Sequence, residues 1–269
     1  MSILAGMMMA ALAASGPADG PVVAAAPAPP AAERGELVTD RPDFTESSLV
    51  VGKGIWQLET GTSVVGEADA RAFAAPQALL RIGFTDRFEL RLGGSGFLAE
   101  RPTAGAARTT GGSDFEVGAK LTVLDEQRHG VGLSLIPIVS LPVGSEAFTS
   151  GGVDPTLKIT WARDLPSGFG LSGNVNVMSQ TEDDAHVTRG AFSVSVGHEL
   201  LLGWSGYAEV YGFSSVERDG AAAWTVNGGL TRGIGPDRQF DVTVGRGVTA
   251  AADDWFVSAG FSLRGGWRR

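Results

Sequence analysis

The sequence predicts an all-β fold: a transmembrane antiparallel up-and-down β-barrel of about twelve strands. Three observations predict it. Apolar and polar residues alternate with period two along most of the chain. The alternating segments are joined by connections that are short and long in turn. Full charges sit in mid-segment, on the face opposite the apolar one.

The totals set the frame. A chain of 269 residues without a single Cys has neither a disulfide framework nor thiol chemistry. Its 39 Gly and only 19% charged residues suit short strands and turns. No apolar run reaches the roughly 20 residues of a membrane helix. A net charge of −9 with no Lys/Arg cluster excludes a nucleic-acid partner.

Residues 1–32 are expected to be a signal peptide and an Ala/Pro-rich spacer. "MSILAGMMMAALAASG" has the apolar core, and "VVAAAPAP" offers small residues for cleavage near Ala24 to Ala26. The competing reading is an Ala/Pro linker with no export role. Residues 33–53 then form a periplasmic segment or plug, and 54–269 the barrel.

Twelve strands are expected in order. The first, 54–65, carries Glu59, and the second, 72–83, carries Arg81. In the third, 87–98, Phe88, Leu90 and Leu92 oppose Arg87, Glu89 and Arg91. In the fourth, 113–124, Phe115, Val117, Ala119, Leu121 and Val123 oppose Glu116, Gly118, Lys120 and Thr122. The fifth, 130–142, is apolar on both faces, and Pro137 removes a ladder donor. The sixth, 154–164, carries Lys158. In the seventh, 168–179, Phe169, Leu171, Val175 and Val177 oppose Ser172, Asn174 and Asn176. In the eighth, 187–199, Phe192, Val194 and Val196 oppose Ser193 and Ser195. The ninth, 203–215, places Tyr207, Glu209, Tyr211 and Phe213 on one face. In the tenth, 221–233, Trp224, Val226 and Leu230 oppose Thr225, Asn227 and Thr231. The last two, 237–247 and 254–265, repeat the habit.

The connections separate a barrel from a soluble sandwich. "FTDR", "DEQRHG", "DLPSG", "LLG" and "GPD" are tight. "AERPTAGAARTTGG", "GSEAFTSGGV", "QTEDDAH" and "TAAADD" are longer, with "ERDG" the exception. Short periplasmic turns alternating with longer outer loops are the habit of outer-membrane barrels, and an even strand number leaves both termini periplasmic. Aromatic residues fall where two interfacial belts would lie. Trp56, Phe84, Phe88, Phe169, Trp204, Phe240 and Trp267 mark one rim; Phe73, Phe97, Phe115, Trp224 and Trp255 mark the other. A soluble sandwich explains the alternation but neither of these.

Charge then orients the strands. An Arg or Lys facing lipid at the midplane costs about 2–4 kcal/mol. Glu59, Arg81, Glu89, Arg91, Glu116, Lys120 and Lys158 are therefore expected to line the lumen. Tyr207, Glu209 and Tyr211 would form an aromatic–acid patch on the same wall, either guiding an aromatic or cationic solute or simply packing.

The stretch "LVTDRPDFTESSLVVGKGIWQLETG", Leu37 to Gly61, resembles the N-terminal signature of a bacterial outer-membrane barrel family labelled "putative transporter", of the phenol-degradation meta-pathway type. The resemblance implies a β-barrel with a transport role. In physical terms, Pro42 restrains an extended, charged peptide at the barrel mouth. Asp40, Arg41, Asp43 and Glu46 are expected to fold into the lower lumen as a short plug. Arg41 would meet Glu59 or Glu89, and Asp43 and Glu46 would meet Arg81, Arg91 or Lys120. The alternative is a solvated leader.

No catalytic or metal-binding residues are expected, and no cofactor. His129, His186 and His198 share no ligand spacing. His198 is at the wrong end, and His186 outside any strand core, for a lipid-hydrolase Ser–His dyad. The acids of "SQTEDDAH" and "AAADDW" are read as solvated loop charge, with bridging to lipopolysaccharide through divalent ions as the alternative. The expected partners are outer-membrane lipid and lipopolysaccharide, the barrel assembly machinery and an unidentified small solute, and the chain is expected to be a monomer. The functional expectation is a non-enzymatic channel for passive passage of small, including aromatic, solutes. Its rivals are a closed structural or adhesive barrel and an export-side binding module.

Overall fold

The computed structural model describes Gly35, residues 37–102 and residues 105–267. The expected signal peptide and spacer lie outside the described residues. Among the described residues thirteen strands form the fold: β1 (Ile55–Gly66), β2 (Ala70–Thr85), β3 (Phe88–Pro102), β4 (Thr109–Gly111), β5 (Phe115–Leu124), β6 (Gly132–Leu141), β7 (Asp154–Asp164), β8 (Phe169–Glu182), β9 (Ala185–Glu199), β10 (Trp204–Phe213), β11 (Ala223–Gly233), β12 (Arg238–Gly247) and β13 (Trp255–Gly266). Each long strand pairs antiparallel with its neighbours in sequence. The pairing of β1 with β13 closes a ring of twelve, while β4 only extends the ladder along the far half of β3. A closed ring leaves no unpaired edge.

The alternation sets the two faces. Gln57, Glu59, Arg81, Glu89, Lys120, Thr160, Asn174, Ser193 and Asp241 are buried within the ring. Phe88, Leu121, Val175, Val177, Phe192, Val226, Leu230, Val244, Val257 and Phe261 are exposed on its outer wall. A fold stabilised by water exclusion alone would reverse this order. Among the described residues no helix is long and apolar enough to cross a membrane. Exposed Phe84, Phe88, Phe169, Phe240 and Trp267 ring the end that holds the termini; Phe73, Phe97 and Trp255 ring the loop end. Several outer Trp rings lie over cross-strand glycines, with Trp255 covering Gly66 and Trp56 covering Gly265.

The turns at the terminal end are tight. One holds the short helix α1 (Glu126–His129), whose Asp125 side chain accepts from the Gln127 N–H at 2.9 Å. Two expectations are corrected at the loop end. The "QTEDDAH" stretch is not a loop. Strands β8 and β9 continue through it, His186 pairs with Thr181, and only Asp183 and Asp184 turn, with φ of 48° and 60°. Two consecutive left-handed residues make a hairpin turn whose twist matches the strands, and Asp tolerates that backbone. The "AERPTAGAARTTGG" connection is not all loop: β3 runs on to Pro102 and Thr109–Gly111 forms β4, after which Asp114 accepts the N–H groups of Gly144 and Ser150, each at 3.0 Å.

Candidate functional site: the filled barrel interior

Residues 37–51 run inside the ring as a re-entrant loop. Arg81 of β2 clamps both limbs: Nη1 donates to the Val38 carbonyl at 3.2 Å and Nη2 to the Leu49 carbonyl at 2.7 Å. The Ser47 N–H donates to Asp40 Oδ1 at 2.8 Å and ties the limbs together. Phe44 is at the tip. It stacks on Tyr211 with centroids 4.6 Å apart and planes 10° from parallel, and meets Phe213 edge-on at 5.4 Å.

Neighbouring residues of an extended chain point different ways, so Asp40 and Arg41 meet different strands of the wall. Towards β2, β3 and β5, Asp40 accepts from Arg91 at 2.6 Å and from Lys120 at 3.0 Å, and lies 3.4 Å from Arg81. Glu46 pairs with Arg91 at 2.9 Å and with Lys158 of β7. Wall acids complete the network: Glu59 lies 3.1 Å from Arg81, and Glu89 2.8 Å from Arg81 and 3.0 Å from Arg91. The four wall cations are thus ion-paired with the wall acids Glu59 and Glu89 and with two carboxylates that the loop supplies, Asp40 and Glu46. Buried charge is tolerated only when so paired and hydrogen-bonded.

Further round the ring the wall carries acids. Arg41 spans the interior to Asp241 of β12 at 3.1 Å and to Ser258 of β13 at 2.9 Å. Glu209 of β10 accepts the N–H groups of Phe44 at 2.9 Å and Thr45 at 2.7 Å. The loop is therefore the electrostatic complement of a lumen wall that is positive on one side and negative on the other.

The expected pairings of the loop need correcting. The Arg41 side chain reaches neither Glu59 nor Glu89; Glu59 instead accepts the backbone N–H groups of Asp40 at 2.9 Å and Arg41 at 3.0 Å. Asp43 lies beside Ser195 and Glu209 rather than the arginines, because it sits at the tip, beyond their reach. Glu116 shares the inner face of β5, close to Gly93. Tyr207 donates to or accepts from Thr243 at 2.6 Å.

Some features of the interior carry no mark in the expected site. Gly61 of β1 and Gly260 of β13 pair across the ladder, and the Arg41 guanidinium lies over both; a Cβ at either would overlap it. Above the loop's ion pairs lies an apolar cluster, flanked by buried polar groups that include Arg189 paired with Glu182. Val65, Ala72, Ala74, Leu98, Tyr211 and Phe256 cluster with Phe148, which the loop between β6 and β7 folds inward to 5% exposure. Phe44 packs against the underside of that cluster. The one signal available was Phe44 itself, a lone ring among the charges of "TDRPDFTESS". Phe148 sits in a polar loop with no periodicity to point it inward. Among the described residues no cluster of His and acids could hold a metal.

Residues 39–265 match the profile of a family described as "Putative MetA-pathway of phenol degradation". Among solved structures, the NanC porin is similar at TM-score 0.52 and 10% identity, over 77% of this chain and 98% of that one. The KdgM porin, solved in complex with disordered oligogalacturonate, is similar at TM-score 0.49 and 11% identity, over 78% and 98%. At such identity the likeness to the NanC porin is one of fold. No curated protein matches in sequence.

Proposed function

We propose that this chain, which belongs to that family, is an outer-membrane channel for small aromatic solutes whose lumen is closed at rest by residues 37–51. One observation carries the reading: the Phe44 ring stacked on Tyr211, where an apolar cluster of the interior meets the loop's ion pairs. A ring of the protein occupies a seat that suits a ring. A phenolic solute descending past Phe148 would compete with Phe44 for Tyr211 and Phe213 and lift the tip of the loop. Stacked aromatic pairs contribute about 0.5–1.5 kcal/mol beyond their buried area, enough for a solute to compete and too little to trap it. The family's description, which refers to phenol degradation, agrees with such a solute.

The experiment is influx into proteoliposomes and conductance across planar bilayers. Phenolic acids should enter faster than uncharged sugars of similar size. Deleting residues 36–48 should raise conductance and abolish that preference. Unchanged conductance after the deletion refutes the plug.

The filled cross-section also favours a second reading, a closed structural or adhesive barrel. It predicts no influx of either solute class, with or without the loop.

A further inference from the structure

We propose that the outer wall carries a binding site for a phosphorylated lipid of the surrounding membrane, built by Arg71, Arg101 and Arg108. Arg71 of β2 and Arg101 of β3 are directly paired across the ladder on the outward face. Arg108, from the segment leading into β4, lies with its guanidinium carbon 5.5 Å from the centroid of the Phe97 ring. The three surround a cleft of about 530 Å³ whose other lining includes Val64, Phe73 and Ala99. Phe73 and Phe97 meet edge-on with centroids 6.3 Å apart.

Three features distinguish this cluster from ordinary surface charge. First, all three arginines are exposed, and none forms an ion pair among the described residues. Like charges brought together without a counter-charge repel, so the arrangement favours an anion. Second, the chain as a whole is acidic, at −9, yet gathers these cations on one spot. Third, they sit near the loop end of strands whose outward residues are apolar. There a lipid-facing Arg costs only about 0–1 kcal/mol, because the headgroup layer begins.

The chemistry of the occupant follows from the two halves of the cleft. Guanidinium groups bind phosphate bidentately. The floor of Val64, Phe73 and Ala99 offers an apolar track for an acyl chain. A free phosphate would leave that floor unused; a neutral lipid would leave the arginines unpaired. A phosphorylated, multiply acylated lipid uses both. The inference rests on the membrane reading above, because only a lipid-facing wall presents this cleft to acyl chains.

The test uses the full chain folded in detergent, with diphosphorylated lipid A, its dephosphorylated form and inorganic phosphate as probes. Binding is read by native mass spectrometry. The wild type should bind diphosphorylated lipid A about 100-fold more tightly than R71A/R101A/R108A, with each single change costing about fivefold. Equal binding by wild type and variants overturns the site, as does equally tight binding of the dephosphorylated lipid. Displacement by an equal concentration of inorganic phosphate overturns the lipid as occupant. Heat-dependent gel mobility and insertion into vesicles are scored in parallel. A wild-type chain that does not insert refutes the membrane reading; one that inserts while its lipid binding ignores the arginines refutes only this site. The single changes keep the test decisive if the triple variant does not fold.

Discussion

The guanidinium of Arg41 lies 3.1 Å from the Asp241 carboxylate, on a floor made by the paired glycines Gly61 and Gly260. The bond joins the start of the interior loop to β12, three strands round the ring from β2. Arg41 and Asp40 therefore brace the loop against different strands of the ring.

Filling that floor should loosen the loop without opening the barrel. In Gly260→Ala the new methyl overlaps Arg41, and overpacking of this kind costs about 1–3 kcal/mol. Amide exchange of residues 37–51 is expected to accelerate by one to two orders of magnitude, while the strand amides keep their protection. Unchanged exchange in the loop would mean that Arg41 does not brace it.

Asp40 is the most heavily shared carboxylate, facing Arg81, Arg91 and Lys120. Asp40→Ala leaves those cations short of a partner, and breaking a buried ion pair costs about 3–5 kcal/mol. The expected result is a large rise in single-channel conductance with anion preference, since the uncovered wall there is positive. Asp40→Asn, which keeps the shape and loses the charge, should show the same preference with a smaller rise.

Phe44→Ala removes the ring from Tyr211 while leaving every ion pair of the loop in place. Basal conductance is expected to change little. Phenolic influx should lose its saturation at low concentration, because no ring remains to be displaced. Retained saturation would separate the solute's path from the Phe44 seat.

A pH response is expected at the loop end. Glu67, between β1 and β2, has its pKa raised to about 7 by partial burial and by a hydrogen bond with Asp253, whose own pKa is also raised by burial. A carboxyl whose folded pKa is raised favours the protonated form. Its stabilising contribution is full below the ordinary carboxylate range and is lost as pH rises through about 7. Exchange of the 248–254 amides, corrected for intrinsic rates, should therefore be slower at pH about 5 than at about 8. Glu67→Gln should flatten the difference.

The barrel was legible because one rule, alternation under a lipid boundary, governs every strand. Glu89 and Arg91 beside Leu90 and Leu92 already state which face is which. Even Pro137 could be kept in a strand, since the flanking residues hold the pattern. The short strand β4 was not legible, because Thr109–Gly111 falls inside a polar connection with no alternation to mark it. The interior loop was half legible. Its charges advertise a buried, charged setting, but which charge meets which depends on how an extended peptide turns at Phe44. Glycines show room and not the guest, so the seat of Arg41 at Gly61 and Gly260 could not be read before the guest was placed.

Both limbs of the interior loop leave by the same mouth, and Gly52 and Gly54, with φ of 85° and 73°, join its second limb to β1. On the proposed reading, a stopper so leashed cannot be swept away with what it admits. Its local concentration stays at about millimolar or above, as for any partner on a short tether. Resealing is then a first-order event, independent of how many barrels the cell makes and of anything else in the compartment below.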